Sequence, residues 1–485
     1  MSFTSTTIVP LAAAGAGGES YYIAKYTYNG SVSGAGVTSK VETIVDLADD
    51  TLGLWSNCNV YYTTDVRGQN YTRVNIIDGS LLTNKFLNAD RDGNYRNAQW
   101  STTLGVQFVG GRFYNGSSDV DALGAFDKDG TQNGTYVCTD AQYYKPFAVH
   151  PTSGRIYYGS GDRLYGLTYT TGGGFAHFYE ATYSEGGDFQ ALAWQNDKLV
   201  TLMNDGNSAY VNKYPATGSG TAPGSPDYVK QHPPSASSFN ELGHAPRQAI
   251  QADGSDYVFI SDENNYWRFF RYDSGGSGYY QYDMNRQISY NSITTYAELR
   301  QVLVDQTRST YVYSTGLWKW RPTWSGSGTY TRNRGSVLIL QHTFNLTLNK
   351  AIAISLDTTS GVTSSNNLSY AGIQIEQGIN CMLRNNDEDL VVAFYGNKGK
   401  NDKSDQELFV IKMPTDFSTL TMGTYNGWKF EDVTSIINSN ASPNTQSNAP
   451  YNRSYTLDSA TPPSTGNATI NNMSAITISP TIVKL

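Results

Sequence analysis

The stretch FAVHPTSGRIYYGSGDRLYGLTYTTGGG at residues 147–174 recurs in altered form further along the chain, and this repeat decides the fold. The later copies are ALAWQNDKLVTLMNDGNSAYVNKYPATG from residue 191, QAIQADGSDYVFISDENNYWRFFRYDSGG from residue 248 and QVLVDQTRSTYVYSTGLWKWRPTWSGSG from residue 301. Each copy contains three short apolar strands separated by polar turns, followed by aromatic residues and a Gly-rich exit. Three such strands make up most of a four-stranded antiparallel unit.

Units of about 40 to 50 residues, with strands between Gly, Asn and Asp turns, are typical of β-propeller blades. A further copy covers residues 381–413, weaker copies lie near residues 54–77 and 104–126, and residues 336–353 leave room for one more blade. The sequence therefore predicts an all-β fold, a β-propeller of about seven four-stranded antiparallel blades, within a range of six to eight. A β-sandwich or a series of small β domains is the alternative.

The segment YIAKY at residues 22–26 matches the third strand of the later units, yet no first or second strand precedes it. A lone strand of this kind can complete a blade whose other strands come from the C-terminal part of the chain. Such closure would leave no open sheet edge. The alternative is a chance likeness between tyrosine-rich strands.

The repeats occupy residues 21–415, between a small-residue N-terminal arm at 1–20 and a polar C-terminal extension at 416–485. Most of the extension is rich in Asn, Ser, Pro and Thr and cannot bury enough apolar area to fold alone. It ends in a strand-like tail at 476–485. We expect both ends to be extended arms that become ordered on neighbouring subunits. The competing hypothesis is that the tail closes the ring together with residues 22–26.

The composition limits the classes of partner. The chain of 485 residues has a formal net charge of -8, which argues against binding nucleic acid through its phosphates. Three scattered cysteines do not form a disulfide framework. The sequence contains no apolar run long enough to span a membrane and no signal peptide. These features predict a protein made in a cytoplasm, without a membrane span.

One segment has the beginnings of a metal site. Asn88, Asp90 and Asp92, followed by Gly93, place oxygen ligands at alternate positions, as in the first half of a Ca²⁺ loop. The position that should supply a bidentate glutamate holds Gln99, so an Asp-Gly turn is the competing interpretation. The sequence shows no catalytic motif, and we predict no catalytic residue and no cofactor apart from this possible Ca²⁺.

Aromatic residues cluster on two equivalent strands. Tyr266 and Trp267 lie in one unit, and Trp318, Trp320 and Trp324 lie in the next. Such side chains can form a surface that stacks on the sugars of a host glycan. In a propeller such side chains more often pack between adjacent blades, which is the alternative.

Several features of the sequence resemble those of virion structural proteins of tailed bacteriophages, in particular of marine, cyanophage-like viruses. They are the tyrosine-rich segment 21–26, the Tyr-Val strands that run into Ser at 257–261 and 311–314, the small-residue N-terminus and the Ser/Asn/Thr-rich tail. The resemblance implies a non-enzymatic structural component of a tail, baseplate, fibre or other surface fitting, assembled in the host cytoplasm. Its partners would be other virion proteins and copies of itself. A host-glycan receptor-binding or depolymerising tail-spike module is the alternative function.

Overall fold

The structure is a computed structural model, and it describes 26 segments of the chain. The described residues are 21–29, 36–61, 66–88, 94–114, 119–138, 146–172, 174–183, 187–195, 197–204, 209–215, 226–231, 250–252, 257–263, 266–272, 279–290, 293–304, 310–320, 334–356, 373–374, 380–384, 389–398, 407–425, 428–444, 451–452, 457–459 and 479–484.

The first strand does not belong to the blade that follows it in sequence. The next twelve strands form three antiparallel blades of four consecutive strands each, and the sheet of the third blade gains a fifth strand from the C-terminal part of the chain. The isolated strand is β1 (Tyr22–Asn29). Blade 1 consists of β2 (Gly36–Asp46), β3 (Thr51–Tyr61), β4 (Val66–Asn75) and β5 (Leu81–Asn88). Blade 2 consists of β6 (Asn94–Ser101), β7 (Val106–Tyr114), β8 (Asp119–Phe126) and β9 (Gln132–Cys138). Blade 3 consists of β10 (Phe147–Val149), β11 (Arg155–Ser160), β12 (Arg163–Thr170) and β13 (Gly174–Tyr183).

Blades 4 to 6 follow the same plan. Blade 4 consists of β14 (Asp188–Gln195), β15 (Lys198–Asn204), β16 (Ala209–Pro215) and β17 (Tyr228–Gln231). Blade 5 consists of β18 (Ile250–Ala252), β19 (Tyr257–Glu263), β20 (Tyr266–Tyr272) and β21 (Tyr279–Asn285). A short strand, β22 (Gln287–Tyr290), leads into blade 6, which consists of β23 (Ile293–Val304), β24 (Tyr311–Trp320), β25 (Arg334–Thr343) and β26 (Leu348–Leu356).

Blade 7 combines the two ends of the repeat region. A two-residue strand, β27 (Ile373–Gln374), bridges β25 and the blade itself. The blade then consists of β28 (Asn380–Arg384), β29 (Asp389–Lys398) and β30 (Glu407–Pro414), with β1 as its fourth strand. The pairing of β1 with β30 runs from Tyr22 opposite Lys412 to Tyr26 opposite Leu408. The predicted closure by the N-terminal strand is therefore confirmed, although β1 takes the fourth position rather than the third.

The first strands of the blades surround a common axis. Each of β2, β6, β10, β14, β18, β23 and β28 contacts the next, and β28 contacts β2. The described chain thus forms a closed ring of seven blades, which confirms the predicted β-propeller and rules out the sandwich alternative. Residues 336–353 do not form a separate blade, because they supply β25 and β26 of blade 6. The strands of blade 6 are long, and its two hairpins therefore looked like two repeats.

The apolar core lies between the blades rather than within any one of them. A cluster that includes Tyr22 and Val41 joins blades 7 and 1, and one that includes Trp55 and Val109 joins blades 1 and 2. Comparable clusters fill the other interfaces around the ring. Each blade is hence stabilised mainly by its neighbours, as expected for repeat architectures.

The C-terminal extension lies on the outer edge of the ring. It contains β31 (Gly423–Tyr425), β32 (Trp428–Asp432), α1 (Thr434–Ser439), β33 (Ala441–Asn444), β34 (Tyr451–Asn452), β35 (Leu457–Ser459) and β36 (Ser479–Lys484). We call β32 to β36 the strap. Its strands pair antiparallel with the outermost strands of blades 6, 5, 4, 3 and 7, in that order.

This arrangement corrects the expectation that the extension orders only on neighbouring subunits. In the described part, every strand of the strap pairs with a blade of its own chain. The competing hypothesis is correct for the tail, because β36 pairs with β1, from Ala24 opposite Lys484 to Asn29 opposite Ser479. The polar composition is compatible with this role, since strand addition at an edge uses backbone hydrogen bonds and requires little apolar side-chain area. The N-terminal arm at 1–20 lies outside the described residues.

Candidate interaction surface

The aromatic residues singled out as a ligand surface belong in part to the core. Trp267 is 3% exposed, and its indole N–H donates to the Ala297 carbonyl of blade 6 at 2.8 Å. Trp318 is 2% exposed, and its indole N–H donates to the Thr295 hydroxyl at 2.6 Å. Both rings lie in the cluster that fills the interfaces of blades 4, 5 and 6. For these two tryptophans the packing alternative is correct, because a buried ring has no face to offer a sugar.

The other members of that surface cannot be placed in the same way. Tyr266 begins β20 and Trp320 ends β24, but their side chains lie outside the described part of the structure. Trp324 lies outside the described residues altogether. The structure therefore places Trp267 and Trp318 in the same apolar cluster between blades. A ligand-binding role for Tyr266, Trp320 and Trp324 stays a prediction.

The possible Ca²⁺ loop is described only at its first position. Asn88 is the last residue of β5, whereas Asp90 and Asp92 lie outside the described residues. Gln99 is engaged elsewhere: its side-chain amide donates to the Phe147 carbonyl at 3.0 Å and its carbonyl accepts from the Val149 N–H at 2.7 Å. Gln99 thus joins the first strands of blades 2 and 3. Among the described residues, no three His, Cys, Asp or Glu side chains are grouped to hold a metal ion.

The interface between blades 7 and 1 fixes the turn that joins β4 to β5. The Tyr22 hydroxyl donates to the Ile76 carbonyl at 2.7 Å, and the Tyr26 hydroxyl donates to the Gly79 carbonyl at 2.8 Å. Burial raises the pKa of Tyr26, so this hydroxyl keeps its proton and remains a donor. Gly79 has a positive φ of 70°, which side chains with a Cβ rarely adopt. The turn therefore has one defined shape on a rigid support.

The interface between blades 1 and 2 fixes the other side of the same hairpin. On β5, the Thr83 hydroxyl donates to the Asp129 carboxylate at 3.4 Å and the Lys85 ammonium donates to the Thr131 hydroxyl at 3.1 Å. Nearby, Arg73 pairs with Asp129 at 3.1 Å. The outer strand of blade 1 is consequently tied to the β8–β9 turn of blade 2.

Two large apolar side chains are exposed on this fixed hairpin. Ile77, in the turn, is 45% exposed, and Leu82, in β5, is 47% exposed. They are the exposed large hydrophobic residues in the described part of the chain. In the pairing of β4 with β5, Thr83 lies opposite Arg73 and Leu81 lies opposite Val74. Leu82 has no residue opposite it in β4 and therefore occupies a β-bulge. A bulge redirects a side chain relative to the regular alternation.

The outer edge of blade 1 is also free of the strap where the structure describes it. Within the described strands, β5 pairs only with β4 and β9 pairs only with β8, whereas the outer strands of blades 3 to 7 each carry a strand of the strap. We call the β5 edge together with Ile77 and Leu82 the blade-1 rim. An unpaired strand edge with apolar side chains beside it is suited to bind another extended segment. Sequence reasoning missed this surface, although the adjacent pair Leu81 and Leu82 signals an apolar residue on each side of one strand.

The described residues contain one helix, α1, of six residues. None of them forms a helix with the length and hydropathy needed to cross a membrane. No protein-family model matches the chain, and no curated protein is significantly similar to it in sequence.

Among solved structures, the chain is similar to a protein from Lactobacillus plantarum, with a TM-score of 0.42 and 10% identity, over 82% of this chain and 99% of that one. It is also similar to the β-propeller domain of Nup133 from Vanderwaltozyma polyspora, with a TM-score of 0.38 and 10% identity, over 80% and 100% of the two chains. The WD40 domain of coronin from Toxoplasma gondii gives a TM-score of 0.36 and 8% identity, over 82% and 90%. Likenesses of this size say nothing about activity, and the assignment of the fold rests on the strand pairing.

Proposed function

We propose that the protein is a non-enzymatic structural component of a tailed-bacteriophage virion, in a tail, baseplate, fibre or other surface fitting. It acts through protein–protein contacts with other virion proteins and with copies of itself. In this proposal the chain is made and assembled in the host cytoplasm and resides in the virion.

The observation that carries the proposal is the strap. Strand β36 covers β1, the strand that closes the ring, and the other strap strands cover the outer edges of four further blades. The strap strands β33 to β36 become the outermost strands of their sheets, and they are only two to six residues long. Very short edge strands are one way in which β-rich proteins limit aggregation. A rigid ring with short edges suits a part that is assembled once into a larger particle.

The polar chemistry of the described blades is consistent with a structural part. The directed hydrogen bonds of Tyr22, Gln99 and Trp267 all connect one blade to the next. These groups hold the ring together, and their donors are occupied by backbone carbonyls. They support a function that depends on shape and stability.

Co-sedimentation tests the proposal. In a lysate of the infected host, we expect the chain to band with intact particles in a caesium chloride gradient and to resist removal by high salt. The control is a phage whose gene for this chain has been deleted and which receives the wild-type chain by complementation. Recovery of the chain only in the soluble fraction, with fully formed infectious particles, would contradict the proposal.

A further inference from the structure

We propose that residues 460–478 continue the strap across the outer edges of blades 2 and 1, with residues 460–469 along β9 and residues 470–478 along β5. These residues lie outside the described part of the structure. In this inference the chain's own C-terminal extension covers the blade-1 rim, and each of the seven blades carries an added strand. The inference goes beyond the proposed function and does not depend on it, because it concerns contacts within one chain.

The described strap strands follow the ring in one direction. In chain order, β32, β33, β34 and β35 pair with blades 6, 5, 4 and 3, and the next described strand, β36, pairs with blade 7. Each of them begins opposite the end of its outer blade strand, as Leu457 does opposite Tyr183 and Ser479 opposite Asn29. Blades 2 and 1 lie between blades 3 and 7 on this course. One course around the ring thus connects all five strands.

The number of residues between the strands fits this course. Six residues connect β33 to β34 and four connect β34 to β35, so the strap passes from one blade to the next in four to six residues. Between β35 and β36 there are 19 residues for three such steps. Three steps of this size leave one to seven residues for strands on blades 2 and 1, and β34 and β35 themselves have only two and three.

The opposite course from blade 3 to blade 7 is less favourable. It requires four steps and passes blades 4, 5 and 6, whose outer edges already carry β34, β33 and β32. It would also approach β36 from the side of blade 6, whereas β36 lies alongside β5 of blade 1. The residues just before Ser479 therefore start next to the blade-1 rim.

The sequence of the segment matches the surface that it would cover. Ile77 and Leu82 are exposed in the described part of the chain, on a hairpin that is fixed before anything binds to it. The stretch INNMSAITI at 470–478 contains four large apolar residues, and Ile476 and Ile478 lie on the same side of an extended strand. Residues 460–478 include no charged side chain, so covering an edge with them buries no charge.

The first experiment places the photocross-linker p-benzoylphenylalanine at Leu82 of the full chain and maps the cross-links by mass spectrometry. We expect cross-links to residues 470–478 in a product that keeps the monomer mass of 53.2 kDa. The matched control carries the same group at Thr170, an exposed residue of β12 in blade 3, and should give no cross-link to that segment.

The second experiment measures amide hydrogen exchange in two variants that keep β35 and β36 but carry alternating Gly and Pro in part of the segment. Proline has no backbone N–H, so the replaced part loses its strand pairing. Replacing residues 470–478 should speed exchange in β5 at least about tenfold and leave β9 unchanged, and replacing residues 460–469 should do the reverse. Strand β13 keeps β35 in both variants and is the internal reference.

Cross-links from Leu82 to a second copy of the chain would overturn the inference, because a neighbour would then occupy the rim. Cross-links to residues 479–484 alone, or none at all, together with unchanged exchange in β5, would place the segment elsewhere. Exchange that rises equally in β5 and β9 in both variants would reject the assignment of one half to each edge. Each of these results leaves the banding of the chain with particles, and hence the proposed function, unaffected.

Discussion

The Lys412 ammonium lies 3.2 Å from the Asp389 carboxylate, and the two side chains are 0% and 1% exposed. Lys412 is in β30, directly opposite Tyr22 of the closing strand, and Asp389 begins β29. The pair thus lies inside the blade that joins the two ends of the repeat region. Removing one partner of a buried ion pair is costly, because the other charge stays buried and loses that partner.

We expect Lys412→Met to lower the free energy of unfolding by about 3–5 kcal/mol, since the buried Asp389 carboxylate would lose the ammonium that lies 3.2 Å away. The double variant Lys412→Met, Asp389→Leu should recover most of that loss. Denaturant titration of the three chains measures both quantities.

The matched control for this change lies in the same blade, between β1 and β30. Lys25 and Glu407 are 3.0 Å apart but partly exposed, so Lys25→Met should cost less than about 1 kcal/mol. Equal losses for Lys25→Met and Lys412→Met would show that burial does not set the strength of the pair.

Removal of β36 should destabilise the ring. A chain without residues 479–485 should lose about 1–2 kcal/mol of unfolding free energy and aggregate more readily, because β1 would present an open edge. A chain without residues 1–20 is the control, because it keeps the whole of β1 and the whole of β36. An unchanged melting temperature for both truncations would mean that β36 contributes nothing to closure.

His342 should make the interface of blades 5 and 6 sensitive to acid. Its ring is fully buried, 4.8 Å from the ring of Phe269 and 4.6 Å from that of Tyr282, and neither nitrogen has a hydrogen-bond partner in the described structure. Burial lowers the pKa of His342 from 6.5 to about 3. As the pH falls, His342 is therefore protonated in the unfolded chain before it is protonated in the folded chain.

Stability from this group is complete above the unfolded pKa and decreases below it. Between pH 7 and pH 4.5 we expect the wild type to lose roughly 2–3 kcal/mol more than His342→Phe, which cannot titrate. Urea titrations of both chains at the two pH values give the difference. Parallel losses in the two chains would assign the acid sensitivity to other groups.

Trp267→Phe should destabilise the protein without changing any binding to glycans. The change leaves the Ala297 carbonyl without its donor and opens a space between blades 5 and 6, at a cost of about 1–3 kcal/mol. Trp100→Phe is the control and should cost less, because the indole nitrogen of Trp100 has no acceptor among the described residues. A glycan array that binds the wild type and not Trp267→Phe would restore the ligand interpretation.

We also expect the purified chain to release no reducing sugar from host polysaccharide. This follows from the proposed structural role. Release that disappears on changing one Asp or Glu, in a chain that remains folded, would identify a depolymerase instead.

The repeat made the ring predictable, because its strands carry their apolar residues in a regular order from blade to blade. The closing strand at Tyr22 was visible for the same reason. The strap could not be predicted in this way. Its strands, such as Ala441–Asn444, pair with the blades through backbone groups, and this pairing imposes no pattern on the side chains. The burial of Trp267 and Trp318 could not be predicted from the sequence either. The same alternation of residues along a strand fits an indole that faces solvent and an indole that packs against the next blade.

Strand β1 is hydrogen-bonded on both edges, to β30 on one and to β36 on the other. During translation it leaves the ribosome before every other described strand, whereas its two partners follow after six complete blades. Contacts between such distant parts of a chain form slowly. Blade 7 can therefore be completed only when the C-terminal strands have emerged, and a chain that ends before β30 leaves β1 without both of these partners. The double pairing of β1 makes closure of the ring depend on the last described strand of the chain.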